Sequence, residues 1–217
     1  MAPDLSTETA DAAVWYAAYG SNLHARRFNY YLEGGSPPGT SRTYPGFRDP
    51  TPPRASRALT LPGTVYFAWE SPVWTGGVAF YAPGRVGDRA AARGYLLTAG
   101  QFDDLLAQEM YRAPGSCGPL DLDAVVREGV VRLGGGRYET VLCVGELDGS
   151  PILTFTAPWD PAAVELRRPS SRYLNMLAAG LRESHGWTPG QIYAYLAELS
   201  GVQGFWDIGE LRALIGS

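Results

Sequence analysis

Tyr16-Ala17-Ala18-Tyr19-Gly20-Ser21-Asn22-Leu23 is a short apolar run that stops at a glycine and opens through Ser-Asn into a helical pattern. It reads as strand, turn and helix start. Gly20 is open to backbone angles closed to other residues, and Ser21 and Asn22 are residue types that cap helix N-termini. The first N–H groups of the helix would then point back over the strand end, a cradle for a small anion such as a carboxylate. Turns of this composition also serve as plain structural joints, so on chemistry alone both readings stand.

Composition narrows the field. With 217 residues, 45% of them apolar, the chain can bury one substantial core, and a single domain over 13–217 is expected. Twenty-seven glycines and seventeen prolines call for many turns around a modest amount of regular structure. A net charge of −4 argues against a nucleic-acid binder of the usual basic kind. All eighteen basic residues are arginine, so lysine bases, Schiff-base lysines and P-loop lysines are excluded together. His24, His185, Cys117 and Cys143 lack metal-ligand spacing, and neither a metal nor another cofactor is expected. A disulfide between the two cysteines stays open. The N-terminus shows no basic n-region or apolar h-region, and no apolar run is long enough to cross a bilayer; the expectation is a soluble cytoplasmic protein without a membrane partner. No heptads or repeats indicate an oligomeric state.

Taken in order, residues 1–12 read as a flexible tail, 14–19 as the first strand and 23–32 as a helix closed by Gly34-Gly35. His24 is expected on the solvent side of that helix's first turn. Residues 36–56 form a Pro/Gly/Ser/Arg-rich loop whose arginines are expected in water. Strands are expected at 58–61 and 65–69, joined around Pro62-Gly63, then at 77–81, 93–97, 124–127, 130–133 and 138–146. Residues 147–168 read as a second long loop. Ser170 opens an amphipathic helix carrying Tyr173, Met176, Leu177, Gly180 and Leu181 and ending at Gly186; Thr188-Pro189 starts another, and a last short helix follows Phe205-Trp206.

Thr98-Ala99-Gly100-Gln101 has capping-box spacing, so a helix should start there and run through Phe102, Leu105, Leu106 and Glu109. These four lie at i, i+3, i+4 and i+7 and share one face. A carboxylate on that apolar stripe, near the negative end of the helix dipole, should have its charged form disfavoured, as a general acid and base needs; Asp103 and Asp104 are expected exposed and without such an environment. A glutamate in a last turn also frays outward, and the pattern alone leaves both outcomes open.

Four separated segments together resemble the γ-glutamylcyclotransferase-like family: Tyr19-Gly20-Ser21-Asn22-Leu23 after an aromatic strand, Trp74-Thr75-Gly76-Gly77, Leu105-Leu106-Ala107-Gln108-Glu109, and Pro169-Ser170-Ser171-Arg172-Tyr173. They occur in the family's order. The resemblance implies an α+β fold, a small mixed barrel-like sheet with helices around it, with the pocket at the strand end leading into Gly20. It implies cyclisation of a γ-glutamyl amide to 5-oxoproline with release of an amine, Glu109 as general acid and base, and no cofactor. Tyr16, Ala17, Ala18, Tyr19, Gly20, Ser21, Asn22 and Tyr173 are the implied substrate contacts, the partner being a small γ-glutamyl molecule. Read from its helix alone, Tyr173 is equally a core aromatic whose hydroxyl finds a backbone partner. One departure stands out: many relatives follow the glutamate with glycine and carry a tyrosine several residues on, whereas here Met110-Tyr111-Arg112 follows directly. Outside the cyclotransferase reading stand a non-catalytic binding module on the same scaffold and a serine hydrolase using Ser21, for which the Gly-x-Ser-x-Gly elbow is missing.

Overall fold

The computed structural model describes residues 11–38, 40, 42–84 and 88–216; most of the expected 1–12 tail lies outside the described residues. The elements are β1 (Ala13–Ala18), a 3-10 turn (Ser21–Leu23), α1 (Ala25–Glu33), β2 (Ala55–Ser71), β3 (Gly76–Pro83), β4 (Arg89–Thr98), α2 (Ala99–Glu109), α3 (Leu122–Glu128), β5 (Val130–Arg132), β6 (Thr140–Leu147), β7 (Ser150–Thr156), α4 (Ser171–His185), α5 (Pro189–Glu198) and α6 (Ile208–Gly216). The fold is α+β. Its strands form a mixed sheet in the order β3-β2-β4-β1-β7-β6-β5, open because the end strands β3 and β5 are not neighbours. The chain divides into two compact units, one of residues up to 17 with 29–57 and 94–158, the other of 18–28, 58–93 and 159 onward.

In the first unit β1 runs parallel to β7, with Trp15 opposite Ile152 and Tyr16 opposite Leu153. The Tyr16 ring stacks on Phe155 (5.4 Å between centroids) and on Tyr95 (6.2 Å), with Phe102 of α2 at 6.1 Å. Burying side chains of this size stabilises the unit by about 2 kcal/mol each. The β7 strand corrects the loop expected over 147–168. Leu147 pairs with Ser150 across Asp148-Gly149, both at positive φ (52° and 76°), which is a two-residue hairpin. The Asp-Gly pair followed by Ile-Leu-Thr-Phe-Thr was the signal for it. Residues 124–127 are likewise helical rather than extended: the Asp121 side chain accepts from Ala124 N–H, and Gly129 closes α3 in the left-handed region. Here the helix start and stop signals outweigh the β-branched Val125-Val126 pair.

α2 begins as its capping box requires, Thr98 Oγ1 accepting from Gln101 N–H while the Gln101 side chain accepts from Thr98 N–H. Phe102 and Leu105 are fully buried. Asp103 and Asp104 are not exposed. Asp104 is 1% exposed and accepts from both the backbone N–H and Nε of Arg48, each at 2.8 Å. Asp103 accepts from Leu120 N–H (3.2 Å), and burial, reinforced by the charge of Asp104, pushes its carboxyl up to about 6. A carboxyl whose native pKa lies above its unfolded value binds protons more readily when folded, so stability falls as pH rises from about 4 through 6. Asp103→Asn, which keeps the acceptor, should therefore gain of the order of 1 kcal/mol at pH 7.5 and nothing at pH 4, read as thermal unfolding midpoints at the two pH values.

In the second unit β2 is one 17-residue strand where two were expected. Gly63 donates to Asp88 O and pairs with Pro83, so the antiparallel ladder with β3 resumes directly after Pro62. α4 is capped by Ser170 and stopped by Gly186, and α5 starts on a Thr188/Gln191 capping box with Pro189 in its first turn. None of the described helices is long and apolar enough to cross a membrane.

Candidate active site

β1 ends at Ala18, and Tyr19 and Gly20 lead into the 3-10 turn. The turn's internal bonds begin with Leu23 N–H to Gly20 O (2.9 Å) and His24 N–H to Ser21 O (3.2 Å). Gly20 does not take up the left-handed region: its φ is −105° and its ψ −146°. Its demand is for space. A Cβ there would sit 3.2 Å from the Tyr173 hydroxyl and 3.8 Å from the Ala79 side chain. No side chain caps the turn, so Ser21 and Asn22 act as turn residues rather than N-caps. His24 is also not turned out to water: it is half-buried, and its Nδ1 is enclosed without a hydrogen-bond partner.

Tyr173 is 3% exposed in the first turn of α4. Its ring packs against Trp74 (4.8 Å) and edge-on to Phe67 (6.0 Å), and its hydroxyl accepts from Ala79 N–H at 3.2 Å. Tyr173 is thus a core aromatic whose hydroxyl finds a backbone partner, and that hydroxyl stands close to Gly20. The Trp74-Thr75-Gly76-Gly77 segment supports that placement from the side. Gly77 N–H donates to Arg168 O (2.9 Å), and a Cβ on Gly77 would lie 2.2 Å from Arg167 O. Residues 167–168 can thus lie directly against β3 and deliver Ser170, the cap of α4, two residues later. Tyr173→Phe should cost about 1 kcal/mol in thermal unfolding through the lost buried hydrogen bond. An unchanged midpoint would mean that the hydroxyl contributes nothing to holding the turn.

The remaining expected contacts are placed as follows. Tyr16 is 4% exposed within the aromatic cluster of the first unit, Ala17 and Ala18 are buried, and the Ala17 carbonyl accepts from Thr154 Oγ1 (2.8 Å). Tyr19 is buried against Tyr81, 5.8 Å between ring centroids. Glu109 is the last residue of α2 and half-buried. Next to it the structure supplies residues that the sequence had not singled out. The buried Gln108 side chain donates to Tyr31 O (3.0 Å) and Gly46 O (3.3 Å), and Arg42, expected in water, donates to the Gln108 carbonyl. Cys117 and Cys143 are free thiols. Among the described residues no group of three or more His, Cys, Asp or Glu stands where it could hold a metal ion.

No protein-family model matches the chain. A histone deacetylase 5 of Arabidopsis thaliana is 32% identical over 204 residues, covering 87% of this chain and 31% of that protein, so the chain spans about a third of the relative's length. Two solved structures superpose over 94% of the chain at 17% identity: an uncharacterised human protein, TM-score 0.51 and 99% of its length covered, and a γ-glutamyl cyclotransferase, TM-score 0.50 and 98% covered. At that identity the likeness is one of architecture: the chain has the γ-glutamylcyclotransferase-like fold.

Proposed function

We propose that the protein cyclises a γ-glutamyl amide to 5-oxoproline and releases the amine. The observation that carries this reading is the placement of the Tyr173 hydroxyl, held by the Ala79 amide, at Gly20, within a fold shared with a γ-glutamyl cyclotransferase. The substrate brings its own nucleophile. Its α-amine attacks the γ-carbonyl carbon, a five-membered ring closes, and the C–N bond to the leaving amine breaks. The protein has to hold the glutamyl chain folded, move protons and stabilise the oxygen that becomes negative. Glu109 takes a proton from the α-ammonium nitrogen and returns one to the departing nitrogen, so the carboxylate is regenerated in each turnover. The backbone of the turn at Gly20, Ser21 and Asn22 holds the substrate's carboxylate or the oxyanion, and Tyr173, whose hydroxyl accepts from Ala79 N–H, orients the glutamyl group. Tyr16, Ala17, Ala18 and Tyr19 form the strand end against which the glutamyl chain lies. No cofactor enters the scheme.

The test is 5-oxoproline release by the full chain from γ-glutamyl amino acids, γ-glutamyl amines and glutathione. Product from one class names the leaving group as well as the reaction. Absence of product from all three overturns the enzyme reading in favour of a binding module on the same fold, which ligand-induced thermal stabilisation would then reveal.

A further inference from the structure

The C-terminal end of α2 poses an electrostatic problem. Its last turn contains no basic residue and ends on the acidic Glu109, where the helix dipole already presents partial negative charge. The cation comes from elsewhere. Arg42, in the segment between α1 and β2, donates from Nη2 to the Gln108 carbonyl, so its guanidinium lies on the peptide group that joins Gln108 to Glu109. The same carbonyl accepts from Tyr111 N–H at 3.1 Å, which uses both of its acceptor sites.

The guanidinium is also held from the sides. Its carbon lies 4.4 Å from the Tyr44 ring centroid, 4.2 Å from that of Tyr111 and 5.9 Å from that of Tyr31, and Tyr31 and Tyr44 themselves pack 4.5 Å apart. Tyr111 reaches this position with φ at 59°, a conformation that is costly for a side chain of its size, and leaves its ring 59% exposed with Arg137 also against it at 5.3 Å. The contact with a cation offsets that cost.

We propose that Arg42 is the positioning residue of Glu109: clamped between Tyr44 and Tyr111 and bonded to the Gln108 carbonyl, it fixes the last turn of α2 and sets a positive charge at the peptide group that leads into Glu109. The charged and titratable groups around it are Glu109 on α2, Tyr31 on α1, Tyr44 on its own segment and Tyr111 beyond α2, with Arg137 on the far contact of Tyr111. Burial works against the charge of Arg42, yet Tyr31, Glu109, Tyr44 and Tyr111 together hold its pKa above the ordinary arginine value. The role assigned to Arg42 in turnover rests on the cyclotransferase reading; its coupling to Glu109 does not.

A double-mutant cycle on the full chain separates the two. R42M, R42Q, E109Q and the paired variants are compared by thermal unfolding. R42M is expected to lower the midpoint by several degrees in the wild-type background and by at least 2 °C less beside E109Q, because part of what it removes is the attraction to Glu109. R42Q, which retains a donor for the Gln108 carbonyl, should show the same non-additivity with a smaller total loss. Additive losses in both pairs would reduce Arg42 to a structural clamp and overturn the proposal. Where turnover is measured, R42M should lower kcat/KM about tenfold with KM within twofold, whereas R42K, which keeps the charge, should recover most of the loss in kcat. A kcat unchanged in R42M would overturn the role in turnover. A wild type that releases no 5-oxoproline would count against the proposed function alone, since the cycle still reads the pair.

Discussion

Glu109→Gln is expected to remove 5-oxoproline release by two to four orders of magnitude while the protein stays folded. The substitution preserves size and hydrogen-bonding reach at the end of α2 and leaves the Thr98/Gln101 box, which starts the helix eleven residues earlier, untouched. Only the ionisable proton is lost. Because the substrate supplies the nucleophile, no covalent step on the enzyme remains to sustain partial turnover, so the loss should fall on kcat rather than KM. The thermal midpoint should shift by no more than about 2 °C. A folded variant that turned over at the wild-type rate would remove Glu109 from the mechanism and leave the proton transfers unassigned.

The second large effect is expected in stability. Gly180 faces the 3-10 turn from α4, and a Cβ placed on it would lie 2.6 Å from Leu23 Cβ and 2.7 Å from both His24 N and Leu23 C. Alanine in a helix interior ordinarily gains about 1 kcal/mol over glycine. Here two of the three obstructing atoms are backbone, so the helix or the turn has to move bodily, which costs about 3 kcal/mol or more. The steric term wins. Gly180→Ala should lose about 2 kcal/mol net, roughly 4–8 °C in the unfolding midpoint for a chain of this length, and should displace the residues that follow Gly20. Serine at this position should behave like alanine. A variant as stable as the parent would show that the contact between α4 and the turn yields at little cost.

What was legible in the sequence was local. The capping residues of α2, α4 and α5 were read correctly because each motif is complete within four residues. The strand-to-turn junction was read for the same reason, although its glycine answers to space and not to φ. Elements defined by distant partners were not legible. The β7 strand was lost among prolines and aspartates that resemble loop composition, and only the Asp148-Gly149 hairpin announced it. Asp104 looked like a solvent-facing helix carboxylate, yet it is buried because Arg48, 56 positions earlier in the chain, supplies two donors. Arg42 was one of several arginines in an irregular segment, and nothing local distinguished the one that reaches the end of α2, 66 positions away. Burial and pairing of charge are properties of the folded surface, and residue spacing records them only where both partners share an element.

The parallel pairing of β1 with β7 has a kinetic consequence. Ala17 and Thr154 are bonded across 137 positions of chain, and closing a segment of that length costs about 4 kcal/mol in chain entropy before any contact on it is gained. The strand that ends in the Gly20 turn is synthesised long before its parallel neighbour, which is complete only once residue 156 has been made. During synthesis, Tyr16 must wait while the hairpin of β6 and β7 assembles by short-range contacts. Folding of this chain should therefore be limited by a late capture of β1, and a ribosome-bound chain halted before residue 150 should leave Trp15 and Tyr16 accessible to quenchers that the finished protein excludes.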